Sequence, residues 1–259
     1  MSDRMSVAEI RRIGQPDSIT GRRTAEHWSA SLYLRKWSPY VTWVLLPTGI
    51  SANGVTILMM VVGWTSAAAL LIPGIPGAFL AALLAQAQML VDASDGEVAR
   101  VRGTTGAKGV FLDKIGHYTT EALIPIALGL RAAGELNVAN PWAYAGVLLA
   151  VILLWNKALN DMAEATRYAA ELPKLADTGE NASPATGAMA TLRRAVRFFP
   201  FHRIYHSVEM SLLILAAALL DLLLGDLVAT RGLLILLLPL SLLATVGHAL
   251  AIVSSRRLR

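Results

Sequence analysis

Residues 54–72 read G-V-T-I-L-M-M-V-V-G-W-T-S-A-A-A-L-L-I, a run with no charged side chain. Its length matches the roughly 20 residues of helix that cross a bilayer. Backbone inside lipid must satisfy its own hydrogen bonds, which makes a helix the form such a run takes. Outward from it, further apolar runs lie at 75–94, 109–130, 141–160, 207–228 and 232–253. P-G-I-P-G at 73–77, R-A-A-G-E-L-N at 131–137 and G-D-L-V-A-T-R-G at 225–232 separate them in pairs and read as tight turns. The pattern predicts an all-α, polytopic membrane protein with six transmembrane helices.

Composition excludes the main alternatives. Of 259 residues 55% are hydrophobic and the net charge is only +5, which rules out a disordered chain. There is no cysteine, so a disulfide framework or a Cys-ligated metal site is impossible. The six-span reading puts 21 of the 23 Lys and Arg residues on one side, leaving Arg131 and Arg231 on the other. By the positive-inside rule both termini are expected in the cytoplasm of a multi-pass protein of the cell membrane. That distribution also accounts for the basic balance without nucleic acid, whose binders gather their bases on one folded face.

Residues 1–48 are expected to form a cytoplasmic segment and residues 49–259 a six-helix transmembrane catalytic domain. In T-A-E-H-W-S-A-S-L-Y-L-R-K-W-S-P-Y-V-T-W-V-L-L, 24–46, Trp28, Tyr33, Trp37, Tyr40 and Trp43 alternate with Arg35 and Lys36. Amphipathic rings and snorkelling bases favour headgroup depth, so an interfacial amphipathic helix is expected to lie on the membrane surface before Pro39. Residues 173–190, rich in Gly, Pro, Ser and Asn, read as a mobile loop.

The chemistry gathers in V-D-A-S-D-G-E-V-A-R-V-R-G-T-T-G-A-K-G-V-F-L-D-K-I-G-H-Y-T-T-E, 91–121. On helices, Asp92 and Asp95 share one face, and Asp113, His117 and Glu121 form a stripe on the next span. Ionisable groups at membrane depth are costly and mark either a function or a paired partner. Converging acids call for a cation, and hard oxygen ligands suit Mg²⁺, Ca²⁺ or Mn²⁺, ions that also bridge phosphates.

These residues resemble the CDP-alcohol phosphatidyltransferases, whose motif is D-x2-D-G-x2-A-R-x8-G-x3-D-x3-D. Asp92, Asp95, Gly96, Ala99, Arg100, Gly109 and Asp113 match it with every gap correct, and His117 stands where the family has its last Asp. The family has six spans with a cytoplasm-facing site, and its first span begins with a segment similar to A-N-G-V-T here, with Asn53 and Thr56. The resemblance implies that Asp92, Asp95 and Asp113 hold Mg²⁺ or Mn²⁺ on the pyrophosphate of a CDP-linked donor, CDP-diacylglycerol being the expected one. It implies that Gly96, Ala99 and Gly109 leave room for the nucleotide, with Arg100 supporting the site electrostatically. A phosphatidyl or other phospho-alcohol group would pass to a polar hydroxyl acceptor and CMP would leave. The expected partners are therefore donor, acceptor and membrane lipid, with no nucleic acid and a homodimeric assembly.

His117 is the departure from the pattern. It can be the general base that deprotonates the acceptor, oriented by Glu121 one turn on; it can ligate the metal as a neutral imidazole; or it can be a structural histidine in an inactive relative. A transporter or channel lined by acidic residues, and a catalytically silent scaffold, are the alternative functions. His202 and His206 could hold Zn²⁺ but lack a visible third ligand. Arg193, Arg194, Arg197 and Arg203 suit either an acceptor phosphate or anionic lipid. Asp221 and Glu209 read as hydrogen-bonding groups at helix interfaces.

Overall fold

A computed structural model describes residues 5–16, 33–172, 206–254 and 258. The described residues form eight α-helices and no strand: α1 (Val7–Gly14), α2 (Arg35–Leu45), α3 (Ala52–Ala69), α4 (Gly74–Val101), α5 (Ala107–Ala133), α6 (Pro141–Ala169), α7 (Ser207–Leu224) and α8 (Val228–Ser254). The chain divides into two compact units, one of Met1–Ala69 with Phe79–Thr120 and the other of Leu70–Ala78 with Glu121–Arg259. The loop expected at 173–190, the residues before 33 in the expected interfacial helix, and His202 with the four arginines from 193 to 203 lie outside the described residues.

In the first unit, α1 follows from its sequence. S-V-A-E at 6–9 is a capping box: Ser6 Oγ accepts from Glu9 N–H, and Ser6 N–H donates to Glu9 Oε2 at 2.9 Å. That backbone N–H holds the exposed Glu9 carboxyl below the usual range. Ile10 is fully buried, and α1 packs on α2.

The expectation that the interfacial helix stops before Pro39 is corrected, because α2 runs through it. Proline has no N–H to donate to the carbonyl four residues back, here that of Arg35. Gln15 Nε2 donates to that oxygen at 2.8 Å and so satisfies the acceptor the proline leaves. The helix is amphipathic: Trp37, Tyr40 and Val44 are exposed, while Ser38, Pro39 and Thr42 are buried. This is the arrangement a surface-lying helix requires.

Among the described residues five helices, not six, are long and apolar enough to cross a membrane: α3, α4, α6, α7 and α8. The sixth expected span, 109–130, is fully helical within α5. Its composition differs from the rest, since Lys108, Asp113, Lys114, Glu121 and Arg131 are spread along its length.

In the second unit α8 packs against both α6 and α7. Helices α5 and α6 cross at a pair of glycines, where a Cβ on Gly129 would come 2.8 Å from Gly146 Cα and a Cβ on Gly146 would come 2.6 Å from Pro125 O. The neighbours are backbone and cannot move aside, as at other small-residue crossings in membranes. Gly146→Leu is expected to cost at least about 1–3 kcal/mol by overpacking, read as a lower thermal midpoint of the purified protein. Gly232→Ala, where nothing lies within 4 Å of the added carbon, is expected to show no such drop.

Polar side chains close the helix ends of this unit. Arg131 donates to the carbonyls of Leu70, Ile72 and Gly74 at 3.3, 3.1 and 2.6 Å, bonding the turn that begins P-G-I-P-G. Asp221 accepts from the backbone N–H groups of Ala229 and Thr230 and from the Thr230 hydroxyl, capping the start of α8. Arg231 donates to Ala132 O and Asp226 O and lies 5.5 Å from the Trp142 ring centroid.

Candidate metal centre

The first unit brings the last turns of α4 together with the first turns of α5. The expected helical spacings hold there, and three of the motif side chains converge. His117 Nε2 lies 3.1 Å from Asp92 Oδ1 and 3.3 Å from Asp113 Oδ1. One ligand atom from each of Asp92, Asp113 and His117 falls within 4.8 Å of the other two. An ionised carboxylate only accepts hydrogen bonds, so in this arrangement Nε2 carries a proton that it donates between the two. Two carboxylate oxygens and, once it gives up that proton, the imidazole nitrogen form a donor set able to hold a divalent cation.

Asp95 is turned differently. Its Oδ2 accepts from Thr56 Oγ1 at 2.7 Å, an oxygen that lies 3.2 Å from Ala52 O one turn back in α3. This fixes one carboxylate oxygen toward α3, while Asp92 and Asp113 bring further negative charge near the group. The A-N-G-V-T segment therefore bears directly on the motif through Thr56. It also bears on Gly109, where a Cβ would stand 3.5 Å from Asn53 Oδ1.

Gly96 lies beside the guanidinium of Arg100. A Cβ there would meet Arg100 Nη1 at 3.0 Å and Nη2 at 3.2 Å, so the missing side chain makes room for the guanidinium of the same motif. Arg100 Nε donates to Gly14 O at 2.6 Å. Ala99 is partly exposed, and its carbonyl accepts from Thr104 N–H at 2.8 Å beyond the end of α4.

In the second unit Glu121 is nearly buried and its Oε1 has two partners, Lys157 Nζ at 2.9 Å and His206 Nδ1 at 3.2 Å. Sequence reasoning missed Lys157, which lies at the polar end of α6 among Asn156, Asn160 and Asp161. That change from apolar to polar residues along one helix was the available signal. It also missed Glu97, whose setting is described below.

Among curated proteins none matches the chain. A model of the CDP-alcohol phosphatidyltransferase family matches residues 49–253, a stretch that includes every helix from α3 to α7 and all but the last residue of α8. With the match covering most of the 259 residues and the motif acids brought together on α4 and α5, the chain belongs to the CDP-alcohol phosphatidyltransferase family.

Proposed function

We propose that the protein transfers a phosphatidyl group from CDP-diacylglycerol to a hydroxyl acceptor and releases CMP. The family supports phospho-alcohol transfer from a CDP-alcohol. The apolar helices favour a lipid-linked donor over a soluble one. The observation that carries the reading is the convergence of Asp92, Asp113 and His117 within 4.8 Å.

Asp92 and Asp113, joined by Asp95 through its second oxygen, would hold Mg²⁺ or Mn²⁺ in the cluster that closes around His117 Nε2. A divalent cation bound there would neutralise the pyrophosphate and the charge growing on departing CMP. The acceptor oxygen attacks the phosphorus that bears the diacylglycerol; the new P–O bond forms as the bond to the CMP oxygen breaks. The hydroxyl proton goes to a base. We assign that role to His117, whose Nδ1 is left to accept while Nε2 donates to the two carboxylates. Arg100, pinned over Gly96, lends positive charge beside the acids.

A second role for His117 rests on the same distances, because an Nε2 equally close to two carboxylates is also placed to ligate. The two roles separate in one experiment. If His117 is the base, His117→Gln lowers turnover at saturating Mn²⁺ and removes its rise with pH. If it is a ligand, the same variant chiefly raises the Mn²⁺ concentration needed for half-maximal rate.

The reading includes a topology in which α5 also crosses the membrane and both termini are cytoplasmic. Its support is charge: if α5 did not cross, the bases between Arg167 and Arg203 would fall on the outer side, against the positive-inside rule. The native chain has no cysteine, so single ones report cleanly. Leu136→Cys, 74% exposed beyond the end of α5, is expected to react with an impermeant maleimide in intact cells. Ser183→Cys is expected to react only after permeabilisation. The reverse pattern would remove α5 from the spans.

A further inference from the structure

The family match begins at residue 49, yet residues before it reach onto the motif. Glu97 occupies one of the motif's variable positions, directly after Gly96, and is fully buried. Ser38 Oγ and Gln15 Nε2 donate to its Oε1 at 2.5 and 2.8 Å, and Thr42 Oγ1 donates to its Oε2 at 2.6 Å. Three donors on two oxygens fit an ionised carboxylate, and a buried one is tolerated only when it is satisfied in this way. Gln15 Nε2 also reaches Ser38 Oγ at 3.1 Å and Arg35 O at 2.8 Å, so one amide joins α2 to α4.

Backbone completes the attachment. Gly14 lies against Glu97, and a Cβ on it would come 3.0 Å from Glu97 Cγ. Its carbonyl accepts from Arg100 Nε. The helical turn from Gly96 to Arg100 is thus gripped at Glu97 and at Arg100 by residues 14, 15, 38 and 42. All four lie outside the matched region.

We propose that Glu97 is a positioning residue through which α1 and α2 clamp the Gly96–Arg100 turn, making the N-terminal segment a working part of the transferase site rather than a membrane anchor alone. The inference rests on the transferase reading above. Asp95 precedes this turn and Arg100 ends it, and the side chains of Glu97 and Arg100 are bonded by the segment before residue 49. Loss of the clamp lets the turn shift without removing any group that meets substrate.

The test uses full-length protein in nanodiscs with CDP-diacylglycerol and Mn²⁺. Gly14→Leu wedges α1 away from Glu97, and Glu97→Ala removes the clamp from the other side. Both are expected to lower kcat for CMP release about 10- to 100-fold with donor KM little changed, the size of loss that small misplacements cause. Glu97→Gln, which keeps shape and one acceptor, is expected to retain more turnover than Glu97→Ala. Amide deuterium uptake over 92–101 is expected to quicken in Gly14→Leu and in Glu97→Ala. Unchanged uptake in both variants overturns the clamp. Quickened uptake with wild-type kcat, or a loss confined to KM, overturns the positioning role. Absence of CMP release from the wild type would sink the transferase reading instead, and the uptake comparison would still decide the clamp.

Discussion

Asp92→Asn and Asp113→Asn are each expected to abolish CMP release while leaving a folded protein. Both side chains contribute an oxygen to the cluster that closes around His117 Nε2. An asparagine keeps the carbonyl oxygen that accepts from Nε2, so the hydrogen bond to His117 survives. It loses the negative charge that holds a divalent cation, and a site with one carboxylate fewer should lose nearly all metal-assisted turnover. The thermal midpoint without metal is expected to hold or rise, because clustered acids repel when no cation lies among them. Asp95→Asn belongs in the same series and adds the loss of an ionised acceptor for Thr56. Steady CMP release at saturating Mn²⁺ is the measurement, and substantial turnover in two of the three variants would make the acids structural.

The second large effect concerns the histidine in place of the family's aspartate. His117→Gln is expected to lose about 10²–10⁴ in turnover, the usual contribution of a positioned general base. His117→Asp should recover much of that, since it restores the family residue at a position whose backbone already faces Asp92 and Asp113. The pH direction follows from the proton. An imidazole that must accept a proton works only when neutral, so wild-type turnover should rise with pH through the histidine's folded-state pKa. In His117→Asp the rise should move toward acid pH, because a carboxylate ionises lower. A His117→Gln enzyme with wild-type turnover and an unchanged pH profile would leave His117 as a hydrogen-bonding residue.

The apolar runs, the turns between them and the motif were legible in the sequence because each depends on local composition or fixed helical spacing. Asp92, Asp113 and His117 come together as spacing on two neighbouring helices implies. Glu97 was not legible, because an acid at a variable motif position carries no spacing signal of its own. Its partners left a faint one: Ser38 and Thr42 stand four residues apart on the face of α2 opposite Trp37, Tyr40 and Val44. A polar pair on the buried side of an amphipathic helix asks for a buried polar partner. The stop expected at Pro39 failed for a related reason. A proline ends a helix when its carbonyl partner stays unsatisfied, and a side chain 20 residues away supplies the missing donor. The structure departs from the six-span reading at α5, where five charged residues keep the helix from being apolar enough to count with the other spans.

The two cations that the span boundaries set apart from the other 21 have a consequence for insertion. Arg131 and Arg231 each give their guanidinium to main-chain carbonyls in the finished fold. In the proposed topology both lie on the side that the positive-inside rule disfavours, and their carbonyl acceptors come together only as the turns close. Once the turns close Arg131 is buried and both guanidiniums are held by carbonyls that the open turns do not offer. Folding at that end would then act as a latch that makes insertion hard to reverse, because backing a helix out again would first require stripping two arginines from their acceptors.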